Sequence, residues 1–288
     1  MKTRLRLPTV HLETTFVALS YPNYRRWFFG QSVSLMGTWM QAIAQGWVVY
    51  ELTGSKAALG LISFIGSIPT LFLMLPAGAL VDRLSRRRLL IVTQSLMMLF
   101  AFIMALLSGT GRLQVWQIAV LAFSLGVVQS FDAPTRQTLV VEMVADKRDL
   151  VNAIALNSML FNLARIVGPA IGGVILATVG ATWCFTLNGL SFLAVLVAVL
   201  GMQIPERGDQ PPPERLMTQI GAGLRYVRGD VPVRTVLAIV GFASFMGASY
   251  NVLLPAFAVD VLRAGERGLG AMNALVGIGA SIWSSSPP

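Results

Sequence analysis

The chain alternates between apolar runs of about 20 residues, the length a helix needs to cross a bilayer, and short polar breaks. The runs cover roughly 27–50, 57–81, 89–107, 115–131, 151–179, 182–202 and 235–257, and an eighth begins at 269. Each run predicts a spanning helix, so the fold class is an all-α polytopic membrane protein. Polar positions inside the runs are ordered. Gln31, Ser34, Thr38, Gln41 and Gln45 recur at steps of three and four, one face of a helix. Such a face turns either to a water-filled cavity or to a neighbouring helix through hydrogen bonds. Ser158, Asn162, Arg165 and Pro169 make a similar face in the fifth run, and Ser244, Gly247 and Asn251 another in the seventh. The third run carries Met97, Met98 and Met104 among bulky apolar residues and is expected to face lipid, its methionines acting as filler.

Arg165 stands near the middle of its run, where a bare arginine costs at least ~2.5–3.5 kcal/mol on insertion scales. It therefore calls for a partner. A salt bridge to Asp132 is one answer; an anionic substrate or a gating pair is another. Asp132, Pro134 and Arg136 follow the fourth run, and Asp132 pairs with Arg136, one turn on, if the turn survives Pro134.

The breaks differ in kind. Residues 78–88, GALVDRLSRRR, form a basic hinge. Residues 142–149, EMVADKRD, are mixed in sign and read as a solvated loop. The longest break, 203–234, holds three prolines at 211–213. Leu216, Ile220, Leu224 and Val227 then share one face, which predicts an amphipathic helix on the membrane surface within a linker.

Composition supports this reading. Of 288 residues 55% are hydrophobic and only 12% charged, against about a quarter in soluble domains. The net charge of +9 does not indicate nucleic acid, because the cations sit between the runs. Seventeen of the 22 lysines and arginines fall on one side of the expected membrane and four on the other, with Arg165 inside a run. That asymmetry places the tail, residues 1–26, and both ends of the six-run block in the cytoplasm. The single cysteine, Cys184, and single histidine, His11, offer neither a disulfide framework nor a metal site, and no cofactor is expected. No run holds a histidine, a Cys–His pair or paired carboxylates, so intramembrane catalysis is not expected either. The basic tail leads into a run too long for a signal-peptide core, so no cleavable signal is expected.

The 78–88 hinge resembles the loop between helices 2 and 3 of the major facilitator superfamily, G-x-L-x-D-R-x-G-R-[RK]. Gly78, Leu80, Asp82, Arg83, Arg86 and Arg87 match, and Ser85 replaces the second glycine. GPAIGG at 168–173 resembles the glycine–proline motif in helix 5 of that superfamily's exporters. Gly168, Pro169, Gly172 and Gly173 match, while Ala164 and Ala155 stand where further glycines are expected. The stretch 132–188 is similar to the branch that includes the enterobactin exporter and transmembrane secretion effectors.

The resemblance implies a major facilitator fold, with an N-terminal six-helix half at 27–202, a cytoplasmic linker at 203–234, and helix 7 and part of helix 8 at 235–288. An internal parallel agrees. Arg26, Glu51, Lys56 and Leu59-Gly60 recur as Arg234, Asp260, Arg267 and Leu269-Gly270 at an offset of about 209 residues, as expected for parallel six-helix repeats. A whole protein would then be roughly twice that long, and the chain a C-terminally truncated piece: a monomer when complete, a dimer if genuinely half-length.

The resemblance also implies a secondary active transporter, an antiporter exporting a siderophore or drug-like small molecule across the bacterial inner membrane by proton-coupled alternating access. Spans 1, 2, 4, 5 and 7 would line the pathway, and spans 3 and 6 would face lipid. Candidate pathway residues are Gln31, Ser34, Thr38, Gln41, Gln45, Asn162, Arg165 and Asn251. Gly78, Asp82, Arg83, Arg86 and Arg87 would latch the inner ends of the halves, and Asp132 is the coupling candidate. An uptake permease of the same fold, a non-transporting membrane subunit and a truncated remnant are the alternatives.

Overall fold

The structure is a computed structural model describing residues 16–81, 84–202, 221, 225–265, 268–272 and 275, excluding the side chains at 79, 245 and 248–251. Asp82, Arg83, most of the 203–234 linker with its expected surface helix, the Asn251 side chain and most of the eighth run lie outside the described residues. The inner end of the molecule is the one carrying Arg86–Arg88, and the outer end is its opposite.

Among the described residues a short 3-10 turn, Val17–Ser20, precedes seven long helices: α1 (Pro22–Thr53), α2 (Lys56–Val81), α3 (Arg86–Gly109), α4 (Val115–Met143), α5 (Leu150–Val179), α6 (Ala181–Leu200) and α7 (Val231–Asp260). The described residues contain no strand. Five helices, α2 to α6, are long and apolar enough to cross a membrane by length and composition. α1 falls outside that set because its polar stripe dilutes a 32-residue helix. It begins at Pro22, earlier than the apolar run, since proline at the first helical turn gives up only an N–H that has no partner there. It ends at Gly54, whose φ of 59° is a left-handed cap.

The fourth helix corrects an expectation. α4 does not stop before Asp132 but continues through Pro134 to Met143. Proline removes one ladder bond, and the Thr135 and Thr138 hydroxyls return bonds to the Phe131 and Pro134 carbonyls. Asp132 is thus buried inside a helix, and Glu142 is helical rather than part of a solvated loop.

α1 packs between α5 and α6, α2 lies along α4, and α3 joins the two groups by packing on α4 and α6. A cluster including Ala44, Val48, Ile62, Met104, Ile118 and Phe185 fills the outer part of this six-helix bundle. Trp27, Leu90, Leu139 and Val195 belong to the cluster that fills the inner part. α3 is accordingly not a simple lipid-facing span: Leu90, Thr93, Gln94, Met97, Ala101 and Met104 are buried. α2 and α4 approach to backbone contact, for a Cβ on Gly126 would strike the Gly66 carbonyl oxygen. α7 meets the bundle through its outer part, where Leu254 and Ala258 cluster with Leu269, Ile43 and Trp47. Its inner part, from Val231 to Ser244, is largely exposed.

Candidate functional site

The GPAIGG glycines set where helices touch. A Cβ on Gly168 would lie 2.7 Å from the Met36 carbonyl oxygen and from Trp39 Cβ, and one on Gly172 would lie 3.0 Å from Met40 Cγ. Both glycines therefore let α1 lie against α5. Gly173 instead abuts the backbone of Gly270 in the helical segment 268–272, and Gly46 of α1 faces Pro255 of α7, 3.3 Å from a Cβ to Cγ. The outer ends of α1 and α5 thus meet α7 and segment 268–272.

The same faces run inward from those contacts. On α5, Arg165, Pro169 and Gly173 succeed one another at steps of four, and Asn162 stands about three turns before Gly173 on nearly the same side. Ser158, Asn162 and Arg165 are exposed there. On α1, Trp39 precedes Gly46 by about two turns on one face. The Arg165 guanidinium sits over the Trp39 ring, 5.8 Å from its centroid, and Phe161 meets Trp39 edge-on at 5.7 Å. Asn162 donates to the Ser158 carbonyl of its own helix. The expected Arg165–Asp132 salt bridge is not formed, because Asp132 is committed elsewhere; among the described residues no carboxylate pairs with Arg165.

The α1 polar stripe is also redirected. Gln31, Ser34 and Gln41 are buried rather than displayed in a cavity. The Asn188 amide of α6 donates to Gln41 Oε1 at 2.7 Å, and Ser191 donates to the Asn188 carbonyl. Gly37 permits this, since its Cβ would stand 2.5 Å from Ser191 Oγ. Thr38 bonds back to the Ser34 carbonyl, and Gln45 is half-buried. The buried part of the stripe is thus a helix interface, hydrogen-bonded across at Gln41, while Gln31 Oε1 is buried without a described hydrogen-bond partner. Asn188 and Ser191 are partners that periodicity alone misses, and their signal is an asparagine within an otherwise apolar run.

Asp132 anchors a second network. Its Oδ1 accepts from Thr93 (2.8 Å) and Gln94 (2.9 Å) of α3. Its Oδ2 lies 2.7 Å from Arg136 Nε, but that N–H is not aimed at the oxygen, so the attraction is Coulombic rather than a hydrogen bond. Thr93 and Gln94 likewise escape the sequence reading, although a glutamine amid apolar residues demands a partner.

At the inner end Arg86, nearly buried, pairs with Glu142 of α4. Arg87 donates to the Val199 and Leu200 carbonyls at the end of α6, and Arg26 to that of Gly201. Cations there complement the negative end of the helix dipole. The bonds described for Arg86 and Arg87 lie within the six-helix bundle. Gly78 lies inside α2, and a Cβ added there would meet no described atom within 4 Å. In the α4–α5 loop the Arg148 side chain, then its backbone N–H, hold the Asp146 carboxyl below its usual range. Asp149 accepts from the Tyr21 hydroxyl, which docks the start of the chain on α5.

At the outer end Asp260 of α7 accepts from the Tyr50 hydroxyl at 2.6 Å and pairs with Lys56 Nζ at 2.8 Å. One carboxylate therefore joins α7 to both α1 and α2.

A family model described as transmembrane secretion effector matches residues 13–287. The Staphyloferrin A transporter of Staphylococcus aureus is 26% identical over 264 residues, 89% of this chain and 65% of that protein. The multidrug efflux pump Tap of Mycolicibacterium fortuitum is 28% identical over 253 residues, 84% of this chain and 61% of the pump. Macrolide efflux protein A of Streptococcus pyogenes is 21% identical over 246 residues, 83% of this chain and 60% of the relative. The chain thus spans less than two thirds of the length of each of these relatives. A bacterial homologue of the human lysosomal transporter Spinster, solved inward-facing and unoccupied, shares the fold with a TM-score of 0.70 at 13% identity, covering 91% of this chain and 61% of that one.

Proposed function

The chain belongs to the transmembrane secretion effector family of the major facilitator superfamily, and we propose that it is the pathway-forming part of an exporter of small molecules. The observation that carries this reading is where the described contacts between the bundle and α7 fall. Contacts between the six-helix bundle and α7 with segment 268–272 cluster at the outer end, at Asp260, Pro255 and Gly270. The Arg165–Asn162 face of α5 stays open farther in. An exposed aromatic and cationic face inward of that seam fits loading from the cytoplasm, and rocking about the seam would deliver the alternating access of this fold.

In this reading residues 27–202 form one half, 203–234 the linker, and 235 onward the start of the second half. The protein resides in the bacterial inner membrane with its N-terminus in the cytoplasm, as the cation asymmetry supports. Export is coupled to protons, with Asp132 and its neighbour Arg136 as the coupling group, and Asp82 and Arg83 act with the inner hinge as a gate. The relatives named for multidrug and macrolide efflux support the outward direction.

The test is accumulation. Cells stripped of their own pumps and expressing the protein are loaded with the neutral dye Nile red and then energised. Faster loss of the dye than in empty-vector cells, abolished by a protonophore, is expected. Increased uptake would reverse the direction, and no difference for any cationic, neutral or anionic dye would overturn the transport reading.

A further inference from the structure

We infer that Arg165, Trp39, Phe161 and Asn162 form a recognition site for aromatic anions, with a carboxylate or sulfonate against the guanidinium and the ring against the two aromatic side chains. The inference rests on the transport reading and names the substrate class of that same cleft.

The placement of Arg165 is the first argument. It is the sixteenth residue of a 30-residue helix, so each surface is roughly 20 Å away along the axis. That is beyond the reach of an arginine snorkelling to either headgroup layer. The side chain instead crosses to Trp39 on α1. Stacking holds a guanidinium in place but leaves its charge uncompensated, and no described carboxylate pairs with it. Asp132 lies in the α3–α4 interface, Glu142 pairs with Arg86, and Asp260 with Lys56. Intramembrane cations usually face a partner or an aqueous path, and this one is exposed beside Trp39.

The neighbours of Arg165 point the same way. Arg presents a planar fork of donors that matches a carboxylate in two bonds. Trp39 and Phe161 meet edge-on, and Phe161 is 47% exposed, which leaves ring surface for a third aromatic group. Asn162 uses one amide donor on Ser158, so its carbonyl oxygen remains to accept from the ligand. A cationic ligand would find the aromatic surface but be repelled by Arg165.

Purified protein in nanodiscs is titrated with radiolabelled 1-naphthoate, with 1-naphthamide as its neutral match. Saturable naphthoate binding about tenfold or more tighter than naphthamide binding is expected. Arg165→Gln should remove that preference, whereas Arg165→Lys, which keeps charge without the fork, should retain part of it. Trp39→Leu should weaken both probes. Equal affinity for the two probes, no saturable naphthoate binding at millimolar concentration, or an unchanged preference in Arg165→Gln would overturn the inference. If Arg165→Gln does not fold, the wild-type preference together with Arg165→Lys decides. Nile red efflux by the wild type, measured in parallel, separates the two readings. Efflux without anion preference refutes only the site, and absence of all transport refutes the function beneath it.

Discussion

Replacing Asp132 tests whether a buried carboxylate holds the bundle together or serves transport. Asp132 is 1% exposed and Arg136 28%, so removal of the carboxylate leaves a partly solvated cation rather than a fully stranded one. Breaking a buried pair from one side costs about 3–5 kcal/mol, and the solvated arginine argues for the lower end. The hydrogen bonds from Thr93 and Gln94 add little if they behave like other interhelical bonds in membranes, about 0.6 kcal/mol each. Thr93 also has the Leu90 carbonyl to fall back on, whereas the Gln94 amide loses its described partner. Asp132→Ala should therefore destabilise the bundle by about 3 kcal/mol, a fall of roughly 6–12 °C in Tm for a domain of this size.

Asp132→Asn separates the components, because its amide oxygen still accepts from Thr93 and Gln94 while the charge is gone. It should fall between wild type and Asp132→Ala. Combined with Arg136→Gln, it should lose less than the sum of the single variants, since the pair is broken once. The assay is thermal unfolding in detergent, followed by efflux from proteoliposomes carrying a proton gradient. A wild-type Tm for Asp132→Ala would refute the structural value of the network. Loss of efflux in Asp132→Asn with Tm preserved would assign the carboxylate to coupling.

Gly126→Ala should force α2 and α4 apart, because the new methyl meets the Gly66 carbonyl oxygen; an overpacking cost of about 1–3 kcal/mol is expected in unfolding assays, and Gly78→Ala, with open space around it, serves as the control. Glu142→Gln weakens the charge opposite Arg86, which is only 6% exposed, and should cost about 3 kcal/mol, with partial recovery when the two charges are exchanged. Lys56→Met and Asp260→Asn should each loosen the outer seam; in a Cys184→Ser background, a cysteine at Asn162 should label faster with an impermeant thiol reagent applied from outside, and unchanged labelling would refute the clasp. Because the folded Asp146 carboxyl is held below its unfolded value, its contribution to the α4–α5 loop is complete above the ordinary Asp value, about 3.9, and is lost as pH falls through the depressed folded value. Protection of the Arg148 amide from hydrogen exchange should track that loss and disappear in Asp146→Asn.

The helices are legible because a 20-residue apolar run has few alternatives in a bilayer. What periodicity cannot supply is the object opposite each face. The steps of Gln31, Ser34, Thr38 and Gln41 identify a shared side of α1, yet a cavity and a second helix select for the same pattern. The deciding residue, Asn188, is 147 positions away. Nearness in sequence points Arg165 at Asp132, while α4 offers Asp132 its own Arg136 one turn on. Pro134 reads as a stop, but a helix supported on its buried side tolerates the loss of one ladder bond. The GPAIGG motif is more informative, since glycine demands close approach whatever the neighbour. Only the structure divides its contacts between α1 for Gly168 and Gly172 and segment 268–272 for Gly173.

That division bears on how the molecule moves. Within the six-helix bundle the joints are buried charges and amides: Asp132 with α3, Arg86 with Glu142, Asn188 with Gln41. Each joint holds a polar group that is buried, Asp132, Arg86 or Asn188, and opening it costs that group its described pairing, so the bundle behaves as one body. Across the cleft the joints are different in kind. Gly173 against Gly270 and Gly46 against Pro255 are contacts between surfaces without polar side chains, and parting them strands no donor or acceptor. The charged link described there, Lys56–Asp260, lies where water replaces each partner, with 59% and 35% of the two side chains exposed, and the Tyr50 hydroxyl that donates to the same carboxylate is the polar joint on the buried side of the seam. The sequence therefore places its irreversible commitments inside the bundle and its reversible ones along the outer seam. On the proposed alternating-access cycle the seam opens in every turnover and this ordering permits it, so Gly173→Leu, which wedges the seam without touching the bundle's networks, should favour the outward-open form while leaving Tm near wild type.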